Sequence, residues 1–325
     1  MFNNKRLLLT GGTGSFGQQF VSDTLKKFKP KEIIVYSRDE MKQWFMAEKY
    51  KKHKNLKFVI GDIRDRDRLN QCSKDVDILI HAAATKIIPT AEKNPEECIK
   101  TNIFGAQNVI YAAKFNKIKK IIALSTDKAS NPINLYGATK LASDKLFIAA
   151  NFTTNNKSMF SIVRYGNVIG SRGSIIPHFL KIKKNNIFPI TDINMTRFFI
   201  TLSQAVELVW TSCREMIGGE IFVKKIPSLK IIDIAKAINR KANFKIIGIR
   251  PGEKIHEQMI GIDDSSYTYS YKYYFKIIPQ ISNKKSKYIK SGTKVIKNFV
   301  YSSELNDEWM NINKIKKIIE DYKIE

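Results

Sequence analysis

The chain has 325 residues, 43% of them hydrophobic and 26% charged, a composition that excludes a disordered or fibrous chain and leaves room for two packed domains. Its three cysteines, Cys72, Cys98 and Cys213, are odd in number and widely separated, which excludes a disulfide framework or a thiolate metal site and suits a reducing, cytoplasmic setting. The net charge of +26 suits an anionic ligand, but Lys and Arg are spread along the whole chain without any nucleic-acid module motif, so no nucleic-acid partner is expected.

Continuous apolar runs predict strands over residues 6–10, 32–37, 56–62, 77–83, 120–126 and 160–165. None alternates with period two, as befits strands buried on both faces. Between the first two runs, Phe20, Val21, Thr24, Leu25 and Phe28 share one helical face. Strand–helix alternation of this kind predicts an α/β fold, a Rossmann-like doubly wound parallel sheet. The second half is less regular. Helices are expected over 204–216 and 230–241, and strands over 220–225 and 244–250. The tyrosine-crowded segment 267–274 carries no assignable pattern. No apolar run approaches the length of a membrane span, so no membrane partner is expected.

Directly after the first strand, Thr10-Gly11-Gly12-Thr13-Gly14-Ser15-Phe16-Gly17 places glycines in a G-x-x-G-x-x-G spacing. A strand, a tight glycine turn and a helix N-terminus together form a pyrophosphate site, with Thr13, Ser15 and Phe16 alongside the glycines. The second strand ends at Ser37-Arg38, with Lys42 nearby. An acidic residue at that point binds the ribose 2′-hydroxyl of NAD, whereas an arginine favours the 2′-phosphate of NADP. NADP is therefore the expected cofactor, although a shift of one or two residues would bring Asp39 or Glu40 to the same place. Asp62 and Ile63 end the third strand, where Asp62 either meets the adenine or merely stabilises a turn. Ala82, Ala83 and Ala84 end the fourth, small enough for the backbone to pack against a cofactor.

The fifth strand ends in Ser125-Thr126-Asp127-Lys128, and Tyr136 and Lys140 follow. On a helix, residues four apart share a face, and an ammonium beside a phenol favours the phenolate. Tyr136 is thus a candidate general base, with Thr126 bonding the same substrate oxygen. Taken alone, Asp127 and Lys128 read equally as a loop ion pair.

These features together resemble the extended short-chain dehydrogenase/reductase family, with its Ser/Thr, Tyr and Lys triad. The likeness narrows. The stretches Leu124-Ser125-Thr126-Asp127-Lys128-Ala129, Asn131-Pro132-Ile133-Asn134-Leu135-Tyr136-Gly137-Ala138-Thr139-Lys140, Thr101-Asn102, Arg164-Tyr165-Gly166-Asn167-Val168, Ser171-Arg172-Gly173-Ser174 and Arg250-Pro251-Gly252-Glu253-Lys254 look like those of the inverting UDP-N-acetylglucosamine 4,6-dehydratases of polysaccharide biosynthesis. Those enzymes open the route to pseudaminic acid.

The resemblance implies that Tyr136 takes the C4 hydroxyl proton, that Asp127 protonates the departing C6 hydroxyl, and that Lys128, as a neutral amine of depressed pKa, removes the C5 proton. It implies Asn102 beside the cofactor. For the UDP-sugar it implies Lys86, Tyr165, Asn167, Arg172, Ser174, Thr191, Arg197, Arg250 and Glu253, although Arg197 alone reads equally as a surface arginine. Arg250-Pro251-Gly252-Glu253-Lys254 is expected to end a strand and begin a helix. Glu253, His256 and Glu257 lack zinc-motif spacing, so no metal is expected. The domains are expected to divide as residues 1–170 and 198–227, an NADP-binding Rossmann unit, and 171–197 and 228–325, a smaller α/β substrate unit. A homo-oligomer is expected through the helices of 94–116 and 135–152. The rivals are a retaining 4,6-dehydratase, which should carry glutamate at position 128, a 4-epimerase, and a non-catalytic Rossmann binding protein.

Overall fold

In the computed structural model, which describes residues 1–153, 157–170, 174–282 and 286–324, six parallel strands form the centre of a ten-stranded sheet. They are β1 (Arg6–Thr10), β2 (Glu32–Ser37), β3 (Leu56–Ile60), β4 (Ile78–His81), β5 (Lys120–Leu124) and β6 (Met159–Arg164). Their spatial order, β3-β2-β1-β4-β5-β6, is that of a Rossmann sheet. The strand order reverses between β1 and β4, which opens a crevice at their carboxyl ends. The continuous apolar runs read from the sequence are this buried sheet. Leu7, Leu8, Leu9, Leu79 and Ile80 are fully buried. At about 25 cal/mol per Å² of apolar surface, such burial favours the central strands, whereas β3 at the sheet edge leaves Lys57 and Ile60 exposed.

Beyond β6 the sheet continues through Ile221–Lys224, parallel to β6, and then through Tyr274–Ile277, antiparallel to it. Thr268–Ser270 and Thr293–Lys294 complete that edge. Met259, Ile260, Tyr274, Phe275, Ile277 and Tyr301 pack in the core of the large sheet. These residues fall within 228–325, the span expected to form the substrate unit. The unassigned tyrosine-rich segment is part of this edge: Tyr271 stacks on Tyr274 at 4.8 Å.

A second apolar core joins Ile176, Phe179, Phe188, Ile190, Met195, Phe199, Ile234 and Ile315. It comprises the helices Ile175–Ile182, Ile231–Ile238 and Ile312–Ile324 with the parallel pair Ile187–Ile190 and Asn243–Ile246. The last strand stops well short of residue 250, and no helix begins at Arg250. Pro251 and Gly252 instead form a turn, with Gly252 at φ +76°, leading to the short strand Gln258–Ile260. The pairing ends earlier, at the Ile247 N–H on the Ile190 carbonyl, where Gly248 turns the chain at φ +79°. Among the described residues no helix is long and apolar enough to cross a membrane.

Candidate active site

One continuous cleft of about 1160 Å³ runs from the β1–β4 crevice to the second core. The glycine turn forms one end. Gly11 sits at φ +68°, and a Cβ there would lie 2.8 Å from the Ala83 nitrogen, so only glycine lets β1 and the alanine run approach this closely. The helix α1 (Ser15–Lys27) begins at Gly14, whose lack of a side chain leaves the helix N-terminus to an anion. A dinucleotide fits these residues: Gly11, Thr13, Gly14, Ser15, Phe16, Gly17, Ile63, Ala82, Ala83 and Ala84 all line this end.

Ser37, Arg38, Lys42 and Asp62 line it as well. Thr13 Oγ1 donates to Ser37 Oγ at 3.1 Å, and Gln43 holds the Ser37 carbonyl at 2.8 Å. The Arg38 guanidinium lies 3.6 Å from Asp62, which also bonds Arg64 at 2.6 Å. Burial pushes the Asp62 carboxyl up, but its bonds to Arg64 outweigh this and hold it below the usual carboxylate range. Lys42 pairs with Asp39 within one turn. Arg38 is thus the cation at the end of β2, and Asp39 caps the next helix through the Lys42 N–H.

Asn102 does not line the cleft. It is buried in a π-helical turn, Lys100–Phe104, where its amide takes the Thr85 N–H, donates to the Thr85 carbonyl, and donates to Thr139 Oγ1 at 3.0 Å. It ties the segment after β4 to the helix that carries the tyrosine and lysine.

The chemical centre sits at the middle of the cleft. A 3₁₀ turn, Asp127–Ala129, follows β5, and the helix Leu135–Ala149 is capped by Asn134, whose side chain accepts the Gly137 N–H at 2.8 Å. Tyr136 and Lys140 lie on that helix, and with Thr126 and Lys128 they line the cleft. Desolvation pushes the Tyr136 phenol up to about 12, opposed by the Lys128 ammonium and the Thr126 hydroxyl. The cation acting on this phenol is therefore that of Lys128. Burial lowers the pKa of Lys140 itself, with Asp144 opposing.

Asp127 is 1% exposed, lies behind Lys128, and has one carboxylate oxygen without a hydrogen-bond partner. Burial raises its pKa despite the Lys128 ammonium, which suits a proton donor. The expected neutral Lys128 is not what the cleft produces. Its Nζ lies 3.1 Å from Asp127 Oδ1 and 3.1 Å from Glu257 Oε1. Burial pushes the amine down, but the two carboxylates outweigh it and hold the ammonium above the usual lysine range. Glu257 escaped the sequence reading because its only local signal was a failed zinc spacing.

Lys86, Tyr165, Asn167, Ser174, Thr191, Arg197, Arg250 and Glu253 line the cleft as well, and Asn167 Oδ1 lies 3.4 Å from Lys128 Nζ. Arg172 lies outside the described residues. Arg197 is 5% exposed and donates to the Thr196, Ile255 and Lys254 carbonyls, so it is no surface arginine. Arg250 grips Glu253 through two bonds of 2.8 and 3.0 Å, and Thr191 Oγ1 donates to Glu253 at 3.4 Å.

Residues 7–279 match the family described as Polysaccharide biosynthesis protein. Over 98% of both chains the sequence is 51% identical to a UDP-N-acetylglucosamine 4,6-dehydratase (inverting) of Campylobacter jejuni. It is 41% identical to a UDP-glucose 4-epimerase of Rickettsia bellii, over 98% of this chain and 96% of that one. The X-ray structure of Pen from Bacillus thuringiensis superposes over the whole of both chains with a TM-score of 0.91 at 34% identity.

Proposed function

This chain belongs to the polysaccharide biosynthesis protein family, and within it we propose that it dehydrates a nucleotide sugar, UDP-N-acetylglucosamine, across C4 to C6 with inversion at C5. The product would be UDP-2-acetamido-2,6-dideoxy-β-L-arabino-hexos-4-ulose, the starting compound for pseudaminic acid. The observation that carries this reading is the convergence of Thr126, Lys128, Tyr136 and Lys140 where the glycine-turn end of the cleft meets the arginine-lined end, with the buried Asp127 held 3.1 Å from Lys128.

A bound nicotinamide dinucleotide supplies the hydride acceptor and donor, and Arg38 at the end of β2 favours NADP. The chain's own residues handle protons. Tyr136 takes the C4 hydroxyl proton, assisted by the Thr126 hydroxyl and the nearby ammonium of Lys128. With a ketone at C4, the C5 proton is acidic; the Lys128 ammonium passes its own proton to the Asp127 carboxylate 3.1 Å away, and the neutral amine so formed takes the C5 proton. Asp127, whose carboxyl burial keeps toward its protonated form, gives a proton to the departing C6 hydroxyl. Arg197 and Arg250 are cations suited to the diphosphate. A 4-epimerase needs no acid–base pair for C5 and C6, so the buried Asp127–Lys128 pair favours dehydration over the activity named for the rickettsial relative.

Helical faces support a homo-oligomer formed through residues 94–116 and 135–152, since Phe104 and Phe115 are 51% and 63% exposed on the first of these. A monomer at micromolar concentration by light scattering would defeat that assembly. The three unpaired thiols suit a reducing, cytoplasmic setting.

The test of the reaction is proton NMR of UDP-N-acetylglucosamine with the enzyme and NADP in deuterated water. A 4-keto-6-deoxy product of L-arabino configuration, deuterated at C5, is expected. Retention at C5 would move the enzyme to the retaining branch, and a C4 epimer without loss of water would make it an epimerase.

A further inference from the structure

Two carboxylates distant from each other in sequence grip one amine. Lys128 Nζ lies 3.1 Å from Asp127 Oδ1, 3.1 Å from Glu257 Oε1 and 3.4 Å from Asn167 Oδ1. Asp127 is the lysine's chain neighbour. Glu257 arrives from the segment after the Gly252 turn and is fixed on both main-chain sides. Its N–H donates to Ser303 Oγ at 2.9 Å, and its carbonyl accepts the Ser303 N–H at 2.7 Å. Ser303 Oγ shares a 2.7 Å hydrogen bond with Thr196 Oγ1, next to Arg197, whose Nε lies 3.7 Å from the same Glu257 oxygen. The Glu257 residue is 2% exposed, and its second carboxylate oxygen has no hydrogen-bond partner. Exposed ion pairs pay for little and tolerate loose geometry. This one is buried and clamped by the C-terminal segment.

We propose that Glu257 is a positioning residue for Lys128: it holds the amine between two acids at the middle of the cleft and sets the charge with which Lys128 meets the substrate. The inference rests on the dehydratase reading, in which Lys128 acts on C5. The charged and titratable groups facing Lys128 come from several elements. Asp127 belongs to its own turn, Tyr136 to the following helix and Lys86 to the segment after β4. Arg197 belongs to the strand Thr196–Ile200, and Lys254 and Glu257 to the turn region before Gln258. Two anions oppose three cations. Removing Glu257 leaves Asp127 alone against Arg197, Lys86 and Lys254, so the neutral amine becomes accessible at lower pH. Asp127 cannot replace it, because its negative charge is lost whenever it carries the proton that goes to C6.

The experiment compares wild type, Glu257→Gln and Glu257→Asp as full-length enzymes with NADP. Competitive acetylation with acetic anhydride across pH, quantified on the Lys128 peptide by mass spectrometry, reads the amine without turnover. The pH dependence of kcat for UDP-N-acetylglucosamine is measured beside it. In Glu257→Gln the labelling midpoint should fall by about one pH unit, giving about tenfold more acetylation at a fixed pH below the midpoint. The acid limb of kcat should move the same way, with KM little changed. Glu257→Asp keeps the charge but withdraws it by one methylene, so a smaller shift in the same direction is expected, and this variant carries the test if the glutamine form does not fold. An unshifted midpoint in the folded variants overturns the proposal, whatever happens to turnover. A shifted midpoint in an enzyme whose wild type does not dehydrate the substrate leaves the coupling standing and removes the dehydratase reading instead.

Discussion

Tyr136 and Lys128 line the same cleft, and the ammonium of Lys128 opposes the desolvation that raises the Tyr136 phenol. The proposed proton acceptor for C4 and the proposed amine for C5 therefore share one electrostatic environment, and a change at either is felt at the other.

Tyr136→Phe removes the phenolic oxygen while keeping the ring. Since general acid–base groups contribute about 10²- to 10⁴-fold, kcat should fall within that range with the nucleotide sugar still bound. Steady-state kinetics together with calorimetric binding of the UDP-sugar check this. A loss confined to KM would remove Tyr136 from the chemistry. Lys128→Ala should abolish dehydration and leave NADP binding intact, and surviving turnover would show that another group takes the C5 proton.

Arg38 is 59% exposed at its side chain and only loosely held by Asp62 at 3.6 Å, so it is available to a 2′-phosphate. Arg38→Ala should weaken NADP by about tenfold, the value of one charge-assisted hydrogen bond, and leave NAD nearly unchanged. Dissociation constants for both dinucleotides decide it. Equal weakening of the two would mean that Arg38 does not read the 2′ position.

Gly17 packs against the turn it follows, and a Cβ there would lie 2.3 Å from the Gly12 carbonyl oxygen. Gly17→Ala must therefore push α1 away from the turn. A cost on the order of 1–3 kcal/mol is expected, with weaker dinucleotide binding in parallel. Thermal melting with and without NADP measures both, and an unchanged melting temperature would contradict the packing.

His81 ends β4, fully enclosed, with Nδ1 2.8 Å from Thr10 Oγ1. Burial, with a smaller contribution from Lys140, pushes its pKa down to about 3. The folded value lies below the unfolded one of about 6.5. Its stabilising contribution is therefore complete above that unfolded value and is lost as pH falls from there toward 3. Across this window His81 should contribute a slope of about 1.4 kcal/mol per pH unit. Urea unfolding of wild type and His81→Gln between pH 7 and 4 tests it, the variant showing the shallower dependence.

The parts of this protein legible from sequence are those set by neighbours along the chain. β1, β2 and the glycine turn follow from apolar runs broken by residues that only a tight turn accommodates. The Tyr136–Lys140 spacing on a helix is equally local, and it needs no knowledge of the rest of the molecule. Arg38 at the end of β2 follows from strand length alone. Tertiary structure decided what depends on distant segments meeting. Thr268–Ser270, Tyr274–Ile277 and Thr293–Lys294 are short edge strands, too brief for a periodic signal, and join the large sheet only because β6 and Ile221–Lys224 offer an edge. Asn102 looked like a cofactor contact, yet the π turn directs its amide to Thr85 and Thr139. Lys128 was legible as a candidate, but its charge was not. A lysine beside one aspartate and three cations could rest as a neutral amine; Glu257, brought to 3.1 Å by the clamp on Ser303, holds it as an ammonium. Charge in a buried cleft is a sum over everything within a few ångströms, and that sum exists only once the chain has folded.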